Sequence, residues 1–101
     1  MKVRYSKTAL RELDEIFAYI HERNRSAAAA VVDRIERLGS LIGELPFIGH
    51  LTDEEGVRMM PVVRYPFLIF YAVNDKADEV VILHVRHAAR LRPWEGETSD
   101  G

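Results

Sequence analysis

Arg64-Tyr65-Pro66-Phe67-Leu68-Ile69-Phe70-Tyr71-Ala72-Val73 and Val80-Val81-Ile82-Leu83-His84-Val85-Arg86-His87-Ala88-Ala89-Arg90 are the two stretches whose reading decides the fold. β-Branched and aromatic residues dominate both, and such side chains pack well on a pleated, half-buried surface, so each reads as a strand. Asn74-Asp75-Lys76-Ala77-Asp78 between them is a polar turn segment. The pair is therefore an antiparallel hairpin whose loop is longer than the tightest type. Basic residues gather at its far ends. Arg58 and Arg64 precede the first run, and Arg86, His87, Arg90 and Arg92 close the second. Pairing the strands brings Arg64 towards Arg86, His87 and Arg90, which predicts a positively charged rim on the sheet.

Upstream of the hairpin the period changes. Val3-Arg4-Tyr5 is a short strand candidate, and Ser6 can cap a helix by accepting from the free N–H groups of its first turn. Ala9, Leu10, Leu13, Ile16, Phe17 and Ile20 then recur at helical spacing, ending near Arg23-Asn24. Ser26 is a second N-cap candidate, followed by an alanine run of high helix propensity. Val31, Ile35, Leu38, Leu41, Ile42 and Leu45 extend that helix until Pro46 stops it. Two amphipathic helices with a short link form an antiparallel hairpin. Residues 46–56 form a loop holding Gly49, Gly56 and the acidic run Asp53-Glu54-Glu55. Residues 57–63 are a third strand candidate, which Pro61 restricts to an edge or a bulge. The order strand–helix–helix–three strands is an α+β plan, with the helical hairpin on one face of a mostly antiparallel sheet. The pattern does not say where the first strand joins.

With 101 residues the chain suits one domain, and 48% hydrophobic content argues against disorder. There is no cysteine, hence no disulfide framework and no thiolate metal site. No apolar run approaches the roughly 20 residues of a membrane span. Lys2, Arg4, Lys7, Arg11 and Glu12 interrupt the apolar core that a signal peptide needs, so the expected location is the cytoplasm. Net charge is −2, whereas free nucleic-acid binders are usually basic. No sequence-specific nucleic-acid binding is expected, and an acidic protein partner fits the rim better.

The strand Arg64-Tyr65-Pro66-Phe67-x-Ile69-Phe70-Tyr71, the strand Val81-Ile82-Leu83-x-Val85, the exit Arg86-His87-Ala88-Ala89-Arg90 and the opening Val3-Arg4-Tyr5-Ser6 together resemble the ParE/RelE toxins of bacterial type II toxin–antitoxin systems. The likeness covers residues 1–92 as one toxin domain and leaves 93–101 as a flexible acidic tail. It implies a plasmid-stabilising or stress-response toxin, a cognate antitoxin in a hetero-oligomer, and no cofactor. The family has two branches. The ribonuclease branch cuts messenger RNA on the ribosome and needs several cations around the scissile phosphate plus an acid/base, often a late Tyr or His. In this chain that set would be His87, Arg86 and Arg64. The departure is that Asp53-Glu54-Glu55 stand in the loop where lysines would be wanted, and no Tyr follows Tyr71. The ParE branch poisons DNA gyrase by binding it, with no catalytic residue, and suits this chain better. An inactive member that only binds its antitoxin is a third reading.

Partner contact is expected at Arg58, Arg64, Arg86, His87, Arg90 and Arg92. The competing reading leaves strand-end arginines solvated or paired with acids on the helices. His84 and His87 are three apart and face opposite sides of a strand, which is poor spacing for a metal, so none is expected. Of Met59 and Met60, one should enter the core. The other, exposed beside Phe67 or Phe70, would line a groove for a partner helix, with strand addition at the open sheet edge.

Overall fold

The computed structural model describes residues 1–89. Strands β1 (Lys2–Tyr5), β2 (His50–Leu51), β3 (Arg58–Pro61), β4 (Phe67–Asn74) and β5 (Glu79–His87) and helices α1 (Lys7–His21) and α2 (Arg25–Glu44) make an α+β fold. The predicted hairpin is β4–β5, in register from Phe67 opposite His87 to Asn74 opposite Glu79. Leu83 is the extra residue of a bulge, since Phe70 faces His84 and Tyr71 faces Ile82.

The sheet has five strands in the order β1-β5-β4-β3-β2, one more than the four expected. β1 joins β5 in parallel, Tyr5 opposite Ile82, and the other pairings are antiparallel. β2 was missed because two residues are too short to show a period. Pro61 ends β3 opposite Leu68, and Val62 donates to Phe67 O at 2.9 Å. The alternation of an antiparallel ladder then turns the Pro61 nitrogen away from β4. On that side β2 reaches only Arg58 and Met59, so no ladder bond is lost.

Ser6 caps α1 as expected, accepting from Ala9 N–H at 3.0 Å. Asn24, not Ser26, caps α2, accepting from Ala27 N–H at 3.0 Å. A short polar side chain two positions earlier lets Arg25 and Ser26 enter the first turn. Both helices lie on one face, where Ala9, Val31, Ile35 and Ile42 meet Val62, Phe67, Ile69, Tyr71, Val80, Ile82 and Val85. The apolar stripes were read too wide. Leu10, Phe17, Leu41 and Leu45 lie outside the core and are exposed. No helix among the described residues is long and apolar enough to cross a membrane.

Gly39 and Gly43 are mid-helix residues that lower helix propensity, and β1 explains them. A methyl on Gly39 would strike the Tyr5 hydroxyl, and one on Gly43 would lie 2.6 Å from Val3 Cγ2 and 3.1 Å from Met1 O. The pair forms a notch that seats β1, whose terminal amine donates to Gly43 O at 3.0 Å. Gly43→Ala should cost about 1–2 kcal/mol by urea titration, overpacking outweighing the propensity gain. A stabilised variant would show that β1 yields freely.

Candidate functional site

β5 runs towards the rim, and the β3–β4 turn meets it there. Ala88 N–H donates to Pro66 O at 2.8 Å, which ties the strand exit to the turn. Arg64 sits in this turn with φ 76, a left-handed backbone that glycine adopts freely and arginine adopts at a cost on the order of 1 kcal/mol. It has no ion-pair or hydrogen-bond partner among the described residues. His87 packs edge-on against Phe67, with ring centroids 5.7 Å apart, and is otherwise exposed. Its Nδ1 accepts from Ala89 N–H at 3.1 Å, which leaves Nε2 for a partner. The rim therefore presents Arg64 and His87 at one sheet end. Arg90 and Arg92, predicted to join them, lie outside the described residues, as does the 93–101 tail.

Arg86 does not join the rim. Its Nε lies 2.7 Å from Glu12 Oε2 on α1, in an ion pair with Arg86 29% and Glu12 11% exposed. The Arg86 Nε–H is not aimed along that contact, so the attraction is between charges rather than a directed hydrogen bond. Glu12 Oε1 also accepts from Val85 N–H at 3.1 Å and lies 3.2 Å from His84 Nδ1. The reason is topological. β1 covers β5 only as far as Ile82, beyond which the β5 edge would be bare. Ser6 Oγ takes over by donating to Leu83 O at 3.0 Å, and Glu12 follows. Glu12 gave no signal in sequence beyond flanking the α1 stripe, because its partners are more than seventy residues away.

Arg58 lies at the other end of β3, roughly 13 Å of extended chain from the β3–β4 turn. It donates from Nη1 to Gly49 O at 2.9 Å and Phe47 O at 3.3 Å, and its guanidinium covers the Phe47 ring at 5.1 Å. Its role is to hold the loop after α2. The acidic run Asp53-Glu54-Glu55 belongs to the turn before Arg58, at the same remote end. The run that stands where a ribonuclease would want lysines is therefore at the opposite end of the sheet from Arg64 and His87.

Tyr71 completes the loop anchor and was not singled out by sequence. Fully buried, it donates its hydroxyl to Pro46 O at 2.9 Å and accepts from Gly49 N–H at 2.8 Å. Burial pushes its pKa above the ordinary 10.0, against opposing pulls from the Gly49 N–H and the Arg58 charge. Tyr5 is raised likewise by burial and by Glu36. Both groups bind their protons more tightly folded than unfolded. Their stabilisation is complete below pH 10.0 and is lost as pH climbs through the folded values. Unfolding free energy should fall as pH rises above 10.0, and Tyr5→Phe should flatten that fall. An unchanged slope in the variant would count against burial as the cause.

The remaining candidates resolve simply. His84 and His87 face opposite sides of β5, opposite Phe70 and Phe67. His21 stacks on Phe17 at 5.3 Å, and His50 is exposed in β2. Among the described residues no three metal-ligating side chains cluster. Met59 and Met60 are both half-buried, Met60 against the core, while Phe67 and Phe70 are buried. The expected groove beside those rings is therefore absent among the described residues. Large apolar side chains are exposed instead on both helices, in the loop after α2, in β2 and at Val63.

Comparison with known proteins agrees with this architecture. The inferred toxin Y4kP of Sinorhizobium fredii is 35% identical over 92 residues, covering 91% of this chain and 93% of that protein. A chain of the chromosomal ParDE toxin–antitoxin system of P. aeruginosa superposes with a TM-score of 0.71 at 22% identity, covering 86% of this chain and 95% of its own. The isolated E. coli RelE toxin gives 0.68 at 15% identity, covering 98% and 96%, a likeness of fold. Residues 3–92 match the family described as the ParE toxin of the type II toxin–antitoxin system parDE. With the helical hairpin on a five-stranded sheet and the match spanning nearly the whole described chain, this protein belongs to the ParE toxins, within the ParE/RelE superfamily of type II toxin–antitoxin systems.

Proposed function

We propose that this toxin acts in the cytoplasm by binding DNA gyrase and blocking it, without chemistry of its own, and that a cognate antitoxin neutralises it. The observation that carries this reading is the Arg86–Glu12 pair at 2.7 Å. A ribonuclease needs several uncommitted cations around a phosphate, together with an acid/base. Among the described residues the rim offers Arg64 and His87, while Arg86 is neutralised by Glu12 and Arg58 is spent on the Phe47 and Gly49 carbonyls. A rim of one arginine and one imidazole suits charge-assisted contact with a partner's carboxylates.

Expression without antitoxin should arrest growth with filamentous cells and halted DNA replication while translation continues. Purified toxin should inhibit gyrase supercoiling. His87→Gln keeps hydrogen bonding but cannot carry a titrating proton, and it should retain most toxicity at matched soluble level. A ribonuclease using His87 as acid or base would lose about 10²–10⁴-fold. Early collapse of translation with cleaved messages would overturn the gyrase reading.

A further inference from the structure

A cleft of about 300 Å³ lies between α2 and the β3–β4 turn, lined by Ala30, Asp33, Arg34, Arg37 and Tyr65. Arg34 and Arg37 are three apart on α2, a spacing at which side chains of one charge are neighbours and repel. A single carboxylate answers the two of them. Asp33 Oδ2 lies 2.8 Å from Arg37 Nε, in a pair whose side chains are 61% and 78% exposed. A pair so open to water contributes little. Arg34 has no hydrogen-bond or ion-pair partner among the described residues. Its own helix offers none, because Ala30, Val31, Arg37 and Leu38 occupy the positions three and four residues away. The Tyr65 hydroxyl is likewise without a partner among the described residues, while its ring is half-buried against the core. Tyr65 N–H donates to Val62 O at 3.2 Å and Tyr65 O accepts from Phe67 N–H at 2.9 Å, so the turn holds the ring in place.

Three groups thus offer donors to one space: the Arg34 guanidinium, the Arg37 Nη atoms and the Tyr65 hydroxyl. Three donors suit the three terminal oxygens of a phosphoryl group better than the two of a carboxylate. Charge agrees. Arg34, Arg37 and Asp33 line the cleft, and Arg64 directly precedes Tyr65 in the turn, so three arginines stand against one aspartate, a net +2. Glu36 does not change this, since two residues along a helix turn it to the far side of α2, where it acts on Tyr5. A phosphate monoester carries about −1.5 to −2 at pH 7. The volume lies at the lower end of the range of about 300–1,000 Å³ for small-molecule sites, which suits a compact ligand rather than a bare ion. We infer that this cleft binds the phosphoryl group of a compact phosphate monoester, with Ala30 and the Tyr65 ring against its organic part. The inference goes beyond the gyrase reading and does not rest on it.

The test titrates the full chain with phenyl phosphate, with benzoate and inorganic phosphate as comparisons, and follows amide shifts. Phenyl phosphate should bind saturably and move Ala30, Arg34, Arg37 and Tyr65, at least about fivefold more tightly than either other anion. Arg34→Gln should weaken it by about tenfold or more at an unchanged melt, because the side chain is exposed and unpaired. Arg34→Lys keeps the charge without the planar fork and should retain only part of the affinity. Arg25→Gln removes a charge from the same helix outside the cleft and should bind as the parent does. Absence of saturable binding, equal affinity for the three anions, equal loss in Arg25→Gln, or shifts that move Arg64 and His87 without Arg34 would overturn the proposal. So would a short single-stranded oligonucleotide that binds the same residues more tightly than phenyl phosphate, since the ligand would then be a polymer.

Discussion

Glu12→Ala is expected to lower the unfolding free energy by about 2–4 kcal/mol, the largest loss from any single polar residue described. The carboxylate is 11% exposed and serves Arg86, His84 and the Val85 N–H together. Its removal strands a largely buried guanidinium and a bare strand edge in one step. Solvent reaches part of Arg86, which keeps the loss below that of a fully buried pair. In a domain of this size the melting temperature should fall by roughly 10–20 °C. Glu12→Gln, which still accepts from Val85 N–H, should lose less. Glu12→Leu combined with Arg86→Met should recover most of the loss, because replacing both partners removes the unpaired charge along with the pair. A Glu12→Ala melt within about 2 °C of the parent would mean that Arg86 finds water as good a partner, and would return it to the rim as a free cation.

Tyr71→Phe should cost about 2–3 kcal/mol, since one missing hydroxyl leaves both Pro46 O and Gly49 N–H without their partner. No apolar contact is lost, so the whole deficit belongs to those two bonds. Hydrogen exchange would localise it. The Gly49 amide should exchange much faster in the variant, with the β4–β5 ladder unchanged. Phe47 and Ile48 should become mobile too, because the loop would then rest on Arg58 alone. If exchange at Gly49 is unaltered, Arg58 suffices as an anchor and the tyrosine hydroxyl serves only its own satisfaction.

Local pattern reached far in this chain. Period-3.6 stripes and Ser6 located both helices, and β-branched, aromatic runs located β4 and β5, because those signals are carried by neighbours in sequence. Pro46 was correctly read as the helix stop, whereas Pro61, read as the mark of an edge strand or a bulge, ends a β3 that lies between β4 and β2, at the point where β2 no longer covers it. The basic rim was half legible: Arg64 and His87 are brought to one end by hairpin register, which the sequence implies directly. Long-range contact decided the rest. Arg86 looked identical to Arg64 as a strand-end cation, yet Glu12 claims it, because β1 stops short of the end of β5 and a helix side chain must finish the edge. Arg58 looked like a rim residue but sits at the opposite end of its strand. The Gly39–Gly43 notch and the Tyr71 anchor both arise where segments distant in sequence approach closely. Sequence by itself determined the elements other than β2, and the family, since period and turn chemistry are local. Only the tertiary structure decided which charges remain free for a partner, since an ion pair is set by the distance between atoms that the chain order keeps apart.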